Sequence, residues 1–233
     1  MSLLACSCLL FMGNTHGKLG SPGHPPGAQT NEESREKPKI KMAALQSMCR
    51  SSVPISDKEV RDMAEVSARA FINTKSYTEI FRGTPETRKT QLEQLYSRNI
   101  ALIRQKAPEG IYCYYTDNTR SEVVSSFVLT RSSVSFSLGE KIWAGLLTLL
   151  FTFGFEIFGR MMHASDWFDE HMRQVSGGRE YMELQRMVVN PAWQGKGMGT
   201  KFLGEALKEA DKAKLPVVLS TQDDRNVVFY SRL

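Results

Sequence analysis

Val188-Val189-Asn190-Pro191-Ala192-Trp193-Gln194-Gly195-Lys196-Gly197-Met198-Gly199-Thr200 is the stretch on which the fold turns. Ahead of it, Tyr181 to Val189 is the strongest strand pattern in the chain, and behind it Met198 to about Ala213 has helical periodicity. That helix would bury Met198, Phe202, Leu203, Ala206, Leu207 and Ala210, and wet Lys201, Glu205, Lys208, Glu209 and Lys212. A strand that turns through glycines into a helix aims successive backbone N–H groups into one concavity, at the positive end of the helix dipole. Such a concavity is an anion seat, and glycines at 195, 197 and 199 leave no Cβ to hold a pyrophosphate away from the backbone.

Two better-known phosphate loops do not fit. A P-loop needs Gly, four residues, then Gly-Lys-Ser/Thr, and neither Gly195 nor Gly197 begins that spacing. A dinucleotide turn of the form Gly-x-Gly-x-x-Gly meets Thr200 when started at Gly195 and Phe202 when started at Gly197. What fits is Gln/Arg-x-x-Gly-x-Gly/Ala, present as Gln194, Gly197 and Gly199, with Val189-Asn190-Pro191 before it and Leu203 after it. At these residues the sequence resembles the GNAT acetyltransferase superfamily. The resemblance extends over the order of elements from about residue 57 to the end of the chain.

The resemblance implies an α/β (α+β) fold, with a mixed, mostly antiparallel central sheet flanked by helices. It implies acetyl-CoA as co-substrate, with the pyrophosphate on the backbone amides of Gln194, Gly195, Lys196, Gly197, Met198, Gly199 and Thr200. Val188 and Val189 would lie beside the pantetheine arm, in the splay between two strands. Lys196 would add charge at the phosphates or remain a solvated turn lysine. The family often places an Asn at the start of the helix after the next strand and a Tyr four residues later, a relation held by Asn226 and Tyr230. Asn226 would then hold the pantetheine or cap the helix. Tyr230 would be the general acid, because a phenol with a reference pKa near 10 can protonate a departing thiolate within hydrogen-bond reach. Glu183 is the candidate base on the strand before the turn; the alternatives are a surface carboxylate paired to Arg186 or Lys201, and water as the base.

The activity implied is transfer of an acyl group, most simply acetyl, from CoA to a primary amine by direct attack in a ternary complex. The alternative is a non-catalytic acyl-CoA-binding or interaction module. Family members continue beyond the Tyr helix, usually through Gly-Phe, into two further strands, whereas this sequence ends at Ser231-Arg232-Leu233. The last strands are therefore expected to be missing, leaving a sheet edge open and the acceptor side incomplete.

Outward from the turn, Pro216 opens a strand at Val217-Val218-Leu219-Ser220-Thr221, and Asn226 begins a last helix. Upstream, Ser56 can cap a helix whose apolar positions are Val60, Met63, Ala64, Ser67, Ala68 and Phe71. A second amphipathic run places Leu92, Leu95, Tyr96, Ile100 and Ile103 on one side and ends at Pro108-Glu109-Gly110. Ile111 to Tyr115 and Glu122 to Thr130 read as a strand pair around Asp117-Asn118. Residues of about 140–178 read as a helical insertion, with the apolar run Ile142 to Phe155 expected to be a buried helix or a cleft wall. His163 and His171 lie about 12 Å apart along a helix, too far to share one metal, and no metal site is expected.

Residues 1–55 are rich in Gly, Pro, Ser, Asn, Lys and Glu and are expected to lack structure; residues 56–233 would form one domain. The apolar start Leu3 to Met12 lacks the basic leader and cleavage site of a secretory signal, and Ile142 to Phe155 is shorter than the roughly 20 residues of a membrane span. The cytoplasm is the expected compartment, with the nucleus as the alternative. The net charge of +5 comes from Lys and Arg scattered along the chain, which suits an acidic cofactor and argues against a nucleic-acid surface. The four cysteines, Cys6, Cys8, Cys49 and Cys113, have neither disulfide-framework nor zinc spacing.

Overall fold

The computed structural model describes residues 9–12, 48–51 and 53–233. A six-stranded sheet runs through the molecule in the order β1-β6-β5-β4-β3-β2. Its strands are β1 (Leu9–Met12), β2 (Cys49–Arg50), β3 (Ile111–Tyr115), β4 (Val123–Arg131), β5 (Met182–Val189) and β6 (Val217–Ser220). Every neighbouring pair is antiparallel except β5 and β6, which are parallel. The sheet is thus mixed and mostly antiparallel, as expected.

Helices cover both faces, so strands in the middle of the sheet are apolar on both sides. Along β3, Ile111, Cys113 and Tyr115 turn to one layer while Tyr112 and Tyr114 turn to the other, following the two-residue period of a strand. The first layer holds α1 (Asp57–Phe71), α2 (Lys75–Ile80) and α3 (Pro85–Lys106). Ser56 and Glu59 form a reciprocal capping box at the start of α1, which buries Val60, Met63, Ala64, Ser67 and Ala68. Leu92, Leu95, Tyr96, Ile100 and Ile103 of α3 join the same core. Arg88 pins α2 between its neighbours, donating from Nη1 to Ile72 O (3.1 Å), from Nε to Phe81 O (2.9 Å) and from Nη2 to Gly83 O (3.2 Å).

Between β4 and β5 lie α4 (Leu138–Trp143) and α5 (Leu146–Ser176), the latter kinked where Gly154 has φ 79° and ψ 163°. The apolar run here is not a buried helix. Leu149 and Phe153 are buried, but Trp143, Phe151 and Phe155 are 79–80% exposed, because only one stripe of the helix meets the core. The second layer is α6 (Met198–Ala213) and α7 (Asp224–Tyr230). Met198, Phe202, Leu203, Ala206 and Ala210 are buried against Tyr114, Phe127, Leu129, Leu184 and Leu219, with the rings of Tyr114 and Phe202 stacked at 3.9 Å. Leu207 is only partly buried.

Two strands fall inside the segment expected to lack structure. Leu9–Met12 pairs with Val217–Ser220, so the β6 edge that was expected to be open is paired, and Cys49–Arg50 extends the sheet beyond β3. The expectations for Cys6 and Cys8, and for the rest of residues 1–47, lie outside the described residues. Among the described residues no helix is long and apolar enough to cross a membrane.

Candidate active site

Three backbone features build the site, and the first is the parting of β5 and β6. The two strands pair only through Met182/Val217, Glu183/Val218 and Leu184/Leu219, after which β5 runs on without β6 beside it. The second is a bulge in β5. Val128 faces Gln185 and Ser126 faces Val188, so Arg186 and Met187 together oppose Phe127, with Arg186 in the left-handed region at φ 52°. Strict alternation would send Gln185 and Arg186 to opposite faces. The bulge instead lets the guanidinium of Arg186 reach the first layer, 5.7 Å from the centre of the Tyr96 ring.

The third feature is the glycine turn. Gly195 and Gly197 take φ 70° and 78°, and a Cβ built on either would meet nothing within 4 Å. These glycines therefore serve a backbone conformation that L side chains avoid, and the space in front of them is open to an incoming group. Gly197 is the N-cap of α6 and offers no side chain to it. Lys201 N donates to Gly197 O, so the helical amides before it, those of Met198, Gly199 and Thr200, lack an intrahelical acceptor and face outward. Gly199 has a different reason to be glycine: a Cβ there would stand 3.1 Å from Phe229 Cζ and 3.5 Å from Val189 Cγ2.

The parted strands open a cleft of about 760 Å³ lined by Phe71 and Tyr77 from the first layer and by Leu184, Leu219 and Tyr230 from the second, with Arg186 and Asn226 between them. Its far lip is tied down by Gln222, which accepts from Ser76 N (3.2 Å) and donates to Ser76 Oγ (2.6 Å). Tyr230 is buried, and burial pushes its phenol up to about 12, which keeps it protonated at neutral pH. Asn226 donates to Thr221 Oγ1 at 3.0 Å. It does not cap the last helix: the cap is Asp223, which accepts from Arg225 N, because the chain turns into α7 two residues earlier than its pattern suggested.

The remaining sequence candidates occupy distinct places. Val188 is buried with its carbonyl accepting from Ser125 Oγ at 2.8 Å, while Val189 packs beside α6. Gln194 laces the turn to the strand, its Nε2 donating to Val189 O at 2.9 Å. Lys196 folds back, with Nζ donating to Ala192 O at 2.7 Å and lying 5.0 Å from the Trp193 ring. Glu183 is not brought together with Tyr230. It lines a separate cavity of about 60 Å³ beneath α5 with Phe168, Asp169 and Tyr181, and its charge helps hold the Tyr181 phenol at about 12, after burial. Among the described residues no group of three or more His, Cys, Asp or Glu could hold a metal ion. His171 stacks on Trp167 at 3.8 Å.

Sequence reasoning missed Arg186, Tyr77 and the Ser76/Gln222 clasp. A bulge leaves the strand's alternating pattern nearly intact, and α2 is too short for its period to register.

The sheet thus parts beside a glycine-capped helix, leaving a gap next to a row of outward backbone amides. Residues 146–233 match the model described as the Acetyltransferase (GNAT) family. That match suggests acyl-CoA-dependent acetyl transfer. A solved structure described as "a Putative Acetyltransferase from Pyrococcus horikoshii" is similar at 11% identity, covering 80% of this chain and 87% of that one with a TM-score of 0.43. A likeness that loose carries no argument here. No curated protein matches the chain.

Proposed function

We propose that the protein is an N-acetyltransferase that passes the acetyl group of acetyl-CoA to a primary amine within a ternary complex. The observation that carries this reading is the parting of β5 from β6 after Leu184 and Leu219, with the glycine cradle on one side of the gap and Tyr230 lining it. Acetyl-CoA supplies a thioester, an acetyl group already activated toward an amine. The outward amides of Met198, Gly199 and Thr200 hold the pyrophosphate, with open space before Gly195 and Gly197 to admit it. Val188, Val189 and Asn226 flank the pantetheine arm. Cleft walls from both layers hold the amine against the thioester, which converts a bimolecular encounter into an oriented one.

Tyr230 donates its phenolic proton to the departing sulfur as the carbon–nitrogen bond forms and the carbon–sulfur bond breaks. Burial keeps this phenol protonated at neutral pH, so the proton is in place when the sulfur departs. The surplus proton of the amine passes to water, and solvent reprotonates Tyr230, so the products are an amide and the free thiol of CoA. Water fits the role of base better than Glu183, whose carboxylate opens beneath α5 away from the cleft.

The test is calorimetric titration of the full chain with acetyl-CoA, in parallel with Gly197→Glu and Gly197→Ala. Both variants strain the same backbone, but only Glu repels a pyrophosphate. Micromolar binding by the wild type, kept within about tenfold by Ala and lost by Glu, is the expected result. Absence of binding by the folded wild type would end the reading, as would full affinity in the Glu variant.

A further inference from the structure

The acceptor's chemistry follows from the charge inside the cleft. Five charged side chains line it: Lys75, Arg186, Asp223, Asp224 and Arg225. Asp223 and Arg225 satisfy each other at 2.6 Å, and Lys75 and Asp224 are exposed at the lips. Arg186 stands inside, between the lips. Its Nη2 donates to Gln185 Oε1 at 2.8 Å, but its Nε is buried with no acceptor, and no carboxylate pairs with it among the described residues. Beside it are the rings of Tyr96 and Tyr77, both held neutral by burial, so neither offers a counter-charge. A guanidinium is a planar fork of donors matched to a carboxylate, and a half-buried one with an idle donor lacks an anionic partner.

The backbone strengthens the case. Arg186 occupies a left-handed position at the bulge, an uncommon conformation for a residue with a side chain. That bulge begins two residues past Leu184, the last β5 residue paired with β6, at the mouth of the gap where the thioester would lie. A group bound to Arg186 is therefore held beside the reacting centre, on the side lined by Tyr77 and Phe71 and away from the glycine cradle.

We infer that the acceptor is an amine that also carries a carboxylate, a compound of the amino-acid class, and that Arg186 binds this carboxylate and so turns the amine toward the gap. This assignment rests on the acetyl-transfer reading and narrows it. A free amino acid presents the carboxylate on its main chain, and a peptide with an acidic second residue presents it on a side chain.

The test measures initial rates of thiol release from acetyl-CoA by the full chain. Acceptors are free α-amino acids, their carboxamides, and dipeptides with Asp or Glu second, matched to Asn or Gln. The best acid should exceed its neutral partner in kcat/KM by at least about tenfold. The arm in which that preference appears identifies the source of the carboxylate. Arg186→Gln should abolish the preference chiefly through KM, Arg186→Lys should keep part of it, and both should bind acetyl-CoA as the wild type does. Equal use of neutral partners, or a preference that survives Arg186→Gln, overturns the assignment while acetyl transfer stands. Acetyl-CoA binding without turnover of any carboxylate-bearing amine overturns it too, and a failure to bind acetyl-CoA removes the underlying reading as well.

Discussion

Raising the pH past 10 should unfold this protein in one cooperative step, because its tyrosines are kept neutral by the fold. The chain has seven tyrosines, and burial is the leading cause that lifts the phenol of each one above its ordinary value. Tyr181 and Tyr230 reach about 12, as does the buried thiol of Cys113. In the unfolded chain the same phenols ionise near 10. A folded-state pKa raised above the unfolded one leaves stability intact below pH 10. Stability is then lost as pH climbs toward the folded value, since only the unfolded chain releases protons in that window. Each such group costs about 1.4 kcal/mol per pH unit. Tyr77, Tyr96, Tyr112, Tyr114, Tyr115 and Tyr230 all have relative exposures of 7% or less. Together they set an upper slope of about 8 kcal/mol per unit, comparable to the whole stability of an ordinary domain at about 5 to 15 kcal/mol. The midpoint should therefore fall near about pH 11. Tyrosinate absorbance at 295 nm and far-UV circular dichroism, followed together, should change in the same step. A smooth titration centred on 10 with the helical signal unchanged would refute the reasoning, since it would mean solvent already reaches the rings.

Two further outcomes follow from single side chains. Tyr230→Phe should lower kcat by about a hundredfold in single-turnover acetylation while leaving acetyl-CoA affinity unchanged, as general acids of this kind contribute roughly 10² to 10⁴; an undiminished rate would remove the phenol from the mechanism. Glu59, 1% exposed, accepts from Ser56 N at 2.6 Å and from Arg120 Nη1 at 2.8 Å. Glu59→Gln should therefore cost about 2 to 4 kcal/mol in urea unfolding, from a weakened cap and a half-buried Arg120 left without its counter-charge. A loss below about 0.5 kcal/mol would contradict that account.

Much of the fold was legible because its signals are local. The period of α6 named Met198, Phe202, Leu203, Ala206 and Ala210 as its buried face, and Ser56 announced α1 through its cap. The glycine turn was legible for a related reason, since backbone that must adopt positive φ leaves its mark in residue type. What depended on three-dimensional company was not. Nothing in Glu183-Leu184-Gln185-Arg186 says that the strand bulges at Arg186, nor that Glu183 ends beneath α5, because both outcomes are set by pairing with β4 and by the helices above. Ile142 to Phe155 misled for the opposite reason: apolar content reports an affinity for burial, whereas the register of a kinked helix decides which side obtains it.

Gly199 has a consequence for how such a chain can change over generations. Its missing Cβ is what lets the Phe229 ring sit where it does, and Phe229 is bonded to Tyr230 along α7. Positions 199 and 229 therefore trade volume, and the order of exchange is constrained. A smaller residue at 229 first leaves a void that neighbours can partly fill, and an alanine at 199 can then follow. Alanine at 199 first presses on Phe229 and displaces the proton donor next to it. A lineage exploring this site should cross in one direction far more easily than in the other, with the two substitutions recorded as a correlated pair.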